Sequence, residues 1–202
     1  MIATDSSEWD ARYAASPGLV WTGEPNRFVV QELAHLPPGR ALDLAAGEGR
    51  NAVWLAARGW QVTAVDFSRV AVERGRRLAR ERGVHVDWHV ADLREWTPPR
   101  ASFDLALIAY LHLPATDLAG ILQRASQALA PHGTLLVVGH DRTNLTDGVG
   151  GPQDPARLYT PEEIVAKLDG LRVRRADTAR RPVRVEERTV DALDTVVVAV
   201  RP

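Results

Sequence analysis

A chain of 202 residues is long enough for one domain with a sizeable buried core and short for two. Its hydrophobic fraction of 45% and charged fraction of 25% are ordinary for a globular protein, and a net charge of -1 gives no electrostatic reason to engage nucleic acid or an anionic membrane. The absence of cysteine excludes disulfides, thiolate nucleophiles and thiolate metal sites.

No apolar run approaches the roughly 20 residues that span a bilayer. The start, Met1 to Ser7, is polar and lacks the basic and apolar regions of a signal peptide, so the expected location is the cytoplasm. Ser7 to Ala14 and Glu24 to Leu36 read as helices and form an N-terminal cap over residues 1–38. Ala41 to Leu44 reads as a strand, Asn51 to Arg58 as a helix ended by Gly59, and Gln61 to Val65 as the next strand. Ser68 is placed to cap a helix running to Arg82 and closed by Gly83. Val84 to Val90 and Phe103 to Ala109 are further strands. Asp117 to Leu129 is helical, with Leu118, Ile121, Leu122, Ala125 and Leu129 on one face. Pro131, His132 and Gly133 break it before a fifth strand, Thr134 to Val138.

Asn144 to Tyr159 is rich in Gly, Pro and Asp and reads as a long functional loop, followed by a helix over Pro161 to Leu168. Leu171 to Val173 and Thr195 to Val200 have no convincing helix between them, which predicts an antiparallel hairpin at one sheet edge. The other strands are continuous apolar runs, as expected when helices cover both faces. The predicted fold is α/β: one domain built on a doubly wound, mainly parallel seven-stranded sheet with helices on both faces and an antiparallel C-terminal strand.

The chemistry concentrates after three strands. Ala41-Leu42-Asp43-Leu44-Ala45-Ala46-Gly47-Glu48-Gly49-Arg50-Asn51 runs from a strand through small residues into a helix. Small residues let backbone approach a ligand, and the helix N-terminus favours a negative group such as a carboxylate. Small residues at 45, 47 and 49 fit the dinucleotide G-x-G-x-x-G pattern poorly. Asp66 ends the second strand about 20 residues further on, where an acid can accept both ribose hydroxyls. Asp92 follows the third strand, where a carboxylate can accept from a purine amine, and Phe103 to Ala109 ends beneath the reacting centre.

In this order and spacing, these four features resemble the Rossmann-like S-adenosylmethionine (SAM)-dependent methyltransferases, over Arg40 to Val138 in motif detail and to Pro202 in topology. The resemblance implies a SAM site, with S-adenosylhomocysteine as product, and methylation of a small-molecule acceptor. Asp43, Gly47 and Gly49 match the family's acidic-x-G-x-G-x-G loop, with Ala45 in place of the first glycine. Asp66 matches the ribose-binding acid, with Phe67 and Ser68 flanking the adenosine; Asp92 matches the acid beside the adenine amine, with Leu93 near the ring. Ala109 and Tyr110 match the position whose backbone faces the methionine amine. Gly47 to Asn51, together with Trp9-x-x-x-Tyr13, is similar to the small-molecule branch that includes tellurite-resistance and thiopurine methyltransferases.

Several residues read two ways. Asp43 either contacts the cofactor or orients the loop through its amides. Trp21 either covers the cofactor or staples the N-terminal helices. Asp104 reads as a strand cap. His112, after the fourth strand, and His140, after the fifth, are candidate general bases because an unperturbed imidazole titrates near neutrality. The acceptor pocket is expected from residues 9–23, 110–114 and 140–159. No metal-ligand spacing appears, and the expected assembly is a monomer or homodimer without nucleic-acid or membrane partners. Two rivals remain: an NAD-dependent oxidoreductase on a similar sheet, and a non-catalytic SAM-binding protein.

Overall fold

In a computed structural model that describes residues 5–202, seven strands form one sheet in the order β3-β2-β1-β4-β5-β7-β6. They are β1 (Arg40–Leu44), β2 (Gln61–Asp66), β3 (Asp87–Val90), β4 (Phe103–Ala109), β5 (Leu129–His140), β6 (Arg172–Val185) and β7 (Arg188–Val200). Strands β1 to β5 run parallel, and β7 runs antiparallel to both of its neighbours. Strand order reverses between β1 and β4, so the crevice beyond their carboxyl ends is the natural ligand position.

The helices are α1 (Ser6–Ala15), α2 (Arg27–Leu33), α3 (Arg50–Ala57), α4 (Arg69–Glu81), α5 (Ala115–Ala128), the short α6 (Asn144–Asp147) and α7 (Pro161–Val165). Side chains alternate across each strand, and here both faces are apolar. Ala41, Leu105, Leu107, Leu136 and Val196 pack against α2, α3 and α4; Leu42, Leu44, Ala106, Ile108 and Val197 pack against α5 and α7. Each fully buried leucine or valine contributes roughly 1.5–3 kcal/mol of transfer free energy, so these two layers fix the register of the sheet.

Three expectations need correction. Strand β3 starts at Asp87 rather than Val84, because the Val84 amide donates to Ala79 C=O (3.0 Å) and is spent closing α4. Pro131 to Gly133 are not what ends the helix, which stops at Ala128 as β5 begins at Leu129. They lie inside β5, where His132 takes φ 66° and the pairing with β4 shifts between Phe103 and Leu105. The terminal hairpin is present but far longer than predicted. Beyond His140↔Asp194, where β5 ends, β6 and β7 stay paired to Val185↔Arg188, so their tip overhangs the carboxyl edge of the sheet. Asp104 lies at the opposite edge, accepting the Arg40 amide at 2.8 Å.

Candidate functional site

The loop after β1 reverses direction by alternating backbone handedness: Ala45, Gly47 and Gly49 have φ of 60°, 56° and 80°. The Ala46 amide donates to Val65 C=O (3.0 Å), and the Gly49 amide to Ala46 C=O (2.9 Å). Ala45 takes the left-handed conformation at a cost of roughly 1–2 kcal/mol. Gly49 is doubly constrained, since besides its φ a Cβ there would stand 2.2 Å from the Trp88 indole. Gly49 is also the residue from which α3 begins, so the loop delivers the amide end of a helix to the crevice.

Two carboxylates end the adjoining strands. Asp66 is 5% exposed; its Oδ2 accepts the Gly47 amide (2.8 Å) and its Oδ1 the Ser68 amide (2.9 Å). Burial raises its pKa to about 6, against the lowering effect of those amides. Asp43 is 1% exposed, and neither of its oxygens has a hydrogen-bond partner among the described residues. Burial first, then the Asp66 charge, pushes it up to about 7, with Arg50 and then the Ala52 amide, which lies outside hydrogen-bond geometry, acting in the opposite sense. Asp43 therefore does not orient the loop through its amides. An unpaired buried carboxylate is costly, and a cationic ligand group would relieve it.

The other residues expected on the adenosine side divide. Phe67 is half-buried, whereas Ser68 is fully buried and its hydroxyl is committed: it caps α4 by accepting the Ala71 amide (3.1 Å) and donates to Asp10 Oδ1 (2.5 Å). Asp92 faces a bidentate Arg94 guanidinium, with contacts of 2.5–3.0 Å that hold its carboxyl below the usual range. Leu93 is turned into the core on the α5 face of the sheet.

A cover lies over the loop. Helix α1 is pinned by Asp10, which also accepts the Val70 amide (3.2 Å). Tyr13 is 4% exposed, and a Cβ at position 47 would stand 3.0 Å from its hydroxyl. The segment 16–21 is held by two side chains that the sequence left without a role. Glu48 Oε2 accepts the amides of Val20 (2.8 Å) and Trp21 (3.1 Å). Arg74 donates to Gly18 C=O (2.5 Å), Ser16 C=O (2.7 Å) and Glu48 Oε1 (3.1 Å). Trp21 is 41% exposed, with the Arg12 guanidinium 5.2 Å from its ring centroid.

On the β4–β5 side a polar network joins six elements. Tyr110, at the end of β4 with φ 59°, donates its hydroxyl to Asp194 (2.8 Å) and accepts from Asn26 Nδ2 (3.0 Å). The Asn26 amide in turn donates to Asn51 Oδ1 (2.9 Å), and its side chain caps α2. Asp194 is fully buried on β7; it accepts from Arg181 Nε (2.6 Å), and its Oδ1 lies 3.3 Å from His140 Nδ1 directly across the β5–β7 pairing. The guanidinium carbons of Arg50 and Arg181 stand 5.9 and 5.6 Å from the Tyr110 ring centroid.

The two histidines differ. The His112 and His140 rings stack at 5.4 Å. His112 Nδ1 lies 3.0 Å from Arg157 C=O, and the His140 amide points at Nε2 (3.5 Å), so both ring nitrogens are engaged. Burial, then His140, lowers the pKa of His112 to about 4, so it is neutral and has no free base position. Burial also lowers that of His140, although Asp194 opposes the effect. Gly151 of the 144–159 segment presses on the His140 ring, and a Cβ there would stand 2.7 Å from it. That segment is anchored: Asn144 accepts the Leu193 amide (2.7 Å) and donates to Gly150 C=O (2.8 Å). Asp141 is held by Thr143, Thr178 and Thr195.

Sequence reading missed Glu48, Arg74, Asn26, Arg181 and Asp194. Only Asp194 carried a local signal, an isolated acid in the apolar run Ala192-Leu193-Asp194-Thr195-Val196. Among the described residues no His, Asp and Glu cluster could hold a metal ion, and no helix is long and apolar enough to cross a membrane.

Residues 41–133 match the family model described as a methyltransferase domain. A curated relative, the 2-heptyl-1-hydroxyquinolin-4(1H)-one methyltransferase of Mycobacteroides abscessus, is 29% identical over 132 residues, which cover 64% of this chain and 58% of the relative. The chain spans less than two thirds of the length of the curated relatives it matches. Among solved structures, N-methyltransferase NodS of Bradyrhizobium japonicum in complex with S-adenosyl-L-homocysteine aligns with a TM-score of 0.74 at 16% identity, covering 98% of this chain and all of that one. TehB of Haemophilus influenzae aligns with a TM-score of 0.73 at 15% identity, covering 98% of this chain and 67% of that one.

Proposed function

We propose that this chain, which carries a methyltransferase domain of the Rossmann-like class, transfers a methyl group from SAM to a small-molecule acceptor. The observation that carries the reading is the buried Asp43 carboxylate without a partner, beside Arg50 and the amide end of α3. This is the donor set that an amino-acid zwitterion requires: Asp43 for the ammonium, and Arg50 with the α3 amides for the carboxylate. Asp66 has lone pairs left beyond its two amide bonds and fits a ribose diol. Phe67 and Asp92 fit the adenine side, with Arg94 sharing the Asp92 carboxylate. When bound here, SAM supplies a methyl group already activated by a neutral leaving group.

The protein's own contribution is then to position and dehydrate. Tyr13 and the 16–21 segment exclude water from the loop. The Tyr110–Asp194–Asn26 network holds the wall behind the Ala109–Tyr110 backbone. His140, kept neutral by burial, is the group placed to take a proton from a hydroxyl or phenol acceptor; His112 positions it through the His140 amide. The acceptor is a small molecule that enters between the 144–159 segment and the β6–β7 tip, in line with the quinolone acted on by the M. abscessus relative. The Gly47 to Asn51 run and Trp9-x-x-x-Tyr13 favour the tellurite-resistance and thiopurine-like branch. A cytoplasmic, monomeric or dimeric enzyme without nucleic-acid partners fits the near-neutral charge and the lack of cysteine.

Calorimetric titration with SAM, S-adenosylhomocysteine and NAD tests the reading. Binding of both sulfur compounds and not of NAD is expected. Binding of NAD alone would overturn it in favour of an oxidoreductase, and SAM binding without turnover across thiols, phenols and metalloid oxyanions would favour a non-catalytic binder.

A further inference from the structure

The residues proposed to take the cofactor are closed off. Asp43, Asp66 and Gly47 are all buried, with Tyr13 lying against Gly47. A ligand therefore reaches them only if the cover moves, and what holds the cover can be named. Glu48 stands between Gly47 and Gly49, in the middle of the loop expected to touch ligand, yet it is 3% exposed and its carboxylate points outward to the cover. It accepts two consecutive amides, those of Val20 and Trp21, while Arg74 binds two carbonyls of the same segment and closes the ion pair at 3.1 Å. With side-chain exposures of 4% for Glu48 and 18% for Arg74, the pair is screened less than a surface bridge. Charge-assisted hydrogen bonds of this kind are among the stronger contacts available to a loop.

We infer that Glu48 and Arg74 are positioning residues: together they clasp segment 16–21 over the cofactor crevice and set how long the cofactor stays bound. The clasp joins the ligand loop, α4 and the cover in one contact, so a loop shift that disturbs Glu48 is transmitted to Trp21. This rests on the methyltransferase reading and adds to it a gate with named hinges: residues 16–18 on the α4 side and 20–21 on the loop side. The sequence assigned none of this, because Glu48 appeared only as part of the Gly47 to Asn51 run and Arg74 as one of several arginines on the solvated face of α4.

The test uses the full chain and two variants. Arg74→Met removes the α4 half and leaves Glu48 its two amide contacts, and Glu48→Gln removes the charge at nearly constant shape. S-adenosylhomocysteine dissociation is followed by tryptophan fluorescence in stopped flow, and amide exchange of residues 16–21 is followed by mass spectrometry. Each variant should release the ligand about tenfold faster, the change equivalent to one charge-assisted hydrogen bond. The double variant should be no faster than Glu48→Gln within about twofold, since both act on one contact. Exchange at Val20 and Trp21 should rise in step. Faster exchange with an unchanged off-rate would overturn the inference, as would a faster off-rate without change at those amides. A wild-type chain that binds neither SAM nor its product would instead defeat the methyltransferase reading itself, which makes the two failures distinct.

Discussion

Asp43→Asn removes a buried charge from the centre of the site and should make the protein without ligand more stable at alkaline pH. The wild-type carboxyl titrates at about 7 in the fold against the ordinary aspartate value of 3.8, a difference equivalent to about 4 kcal/mol between its two protonation states. A carboxyl whose pKa is raised by folding stabilises while protonated, and that contribution is lost as pH climbs through the folded value. Between pH 5 and pH 8 the wild type should therefore lose about 3 kcal/mol from this group, and the variant should not. The Asp66 term, raised to about 6, remains in both proteins. Urea unfolding of both proteins at pH 5, 6, 7 and 8 gives the comparison directly. A stability difference that stays constant with pH within about 1 kcal/mol would refute the claim that Asp43 is unpaired and desolvated. The same substitution should weaken SAM binding more than about tenfold, because the variant offers the ligand's ammonium no charge. For wild type, SAM binding should tighten from pH 6 to pH 8 with proton release, seen as a buffer dependence of the binding enthalpy.

Other substitutions probe the remaining parts. Asp194→Ala leaves Arg181 and the Tyr110 hydroxyl facing each other without their shared acceptor and should cost about 3 kcal/mol in unfolding free energy, less than for a wholly buried pair because Arg181 is 22% exposed. Asp194→Asn, which keeps the shape, should recover part of that loss. His140→Gln should lower kcat for a hydroxyl acceptor by about a hundredfold and abolish the acidic limb of the rate profile, yet leave cofactor affinity intact; full turnover would remove His140 from the mechanism. The same kinetic loss in His112→Asn, with an unchanged acidic limb, would mark His112 as positioning. Because folding lowers the His112 pKa to about 4, its contribution to stability is present above 6.5 and lost as pH falls toward 4, a loss the Asn variant should not show. Gly49→Ala must resolve both φ 80° and a 2.2 Å approach to Trp88, and should lower the melting temperature by several degrees, measured calorimetrically.

Much of this protein is written locally. Two-faced apolar strands such as Phe103 to Ala109 can be buried only between helix layers, so the doubly wound parallel core follows from periodicity and crossover rules. The loop at 45–49 and the acids at 66 and 92 are legible for the same reason: each is a strand-end residue whose place is set by its own strand. Contacts between distant segments decided the rest. Strand β6 is charged and mostly exposed, with no apolar rhythm, so its 14 residues are ordered by the β7 backbone and could not be read from composition. Ser68 looked like an adenosine neighbour, but α1, docked from 58 residues away, occupies its hydroxyl. Glu48 and Arg74 acquire a role only when segment 16–21 folds back over them, and His112 is distinguished from His140 by the Arg157 carbonyl and the His140 amide on its ring and by Asp194 beside the other. Sequence alone determines which residues stand at the edge of the sheet, because strand and helix periodicity is local. Tertiary structure decides which of them remain free to meet a ligand, because hydrogen-bond capacity is spent on whatever the folded chain brings within about 3 Å.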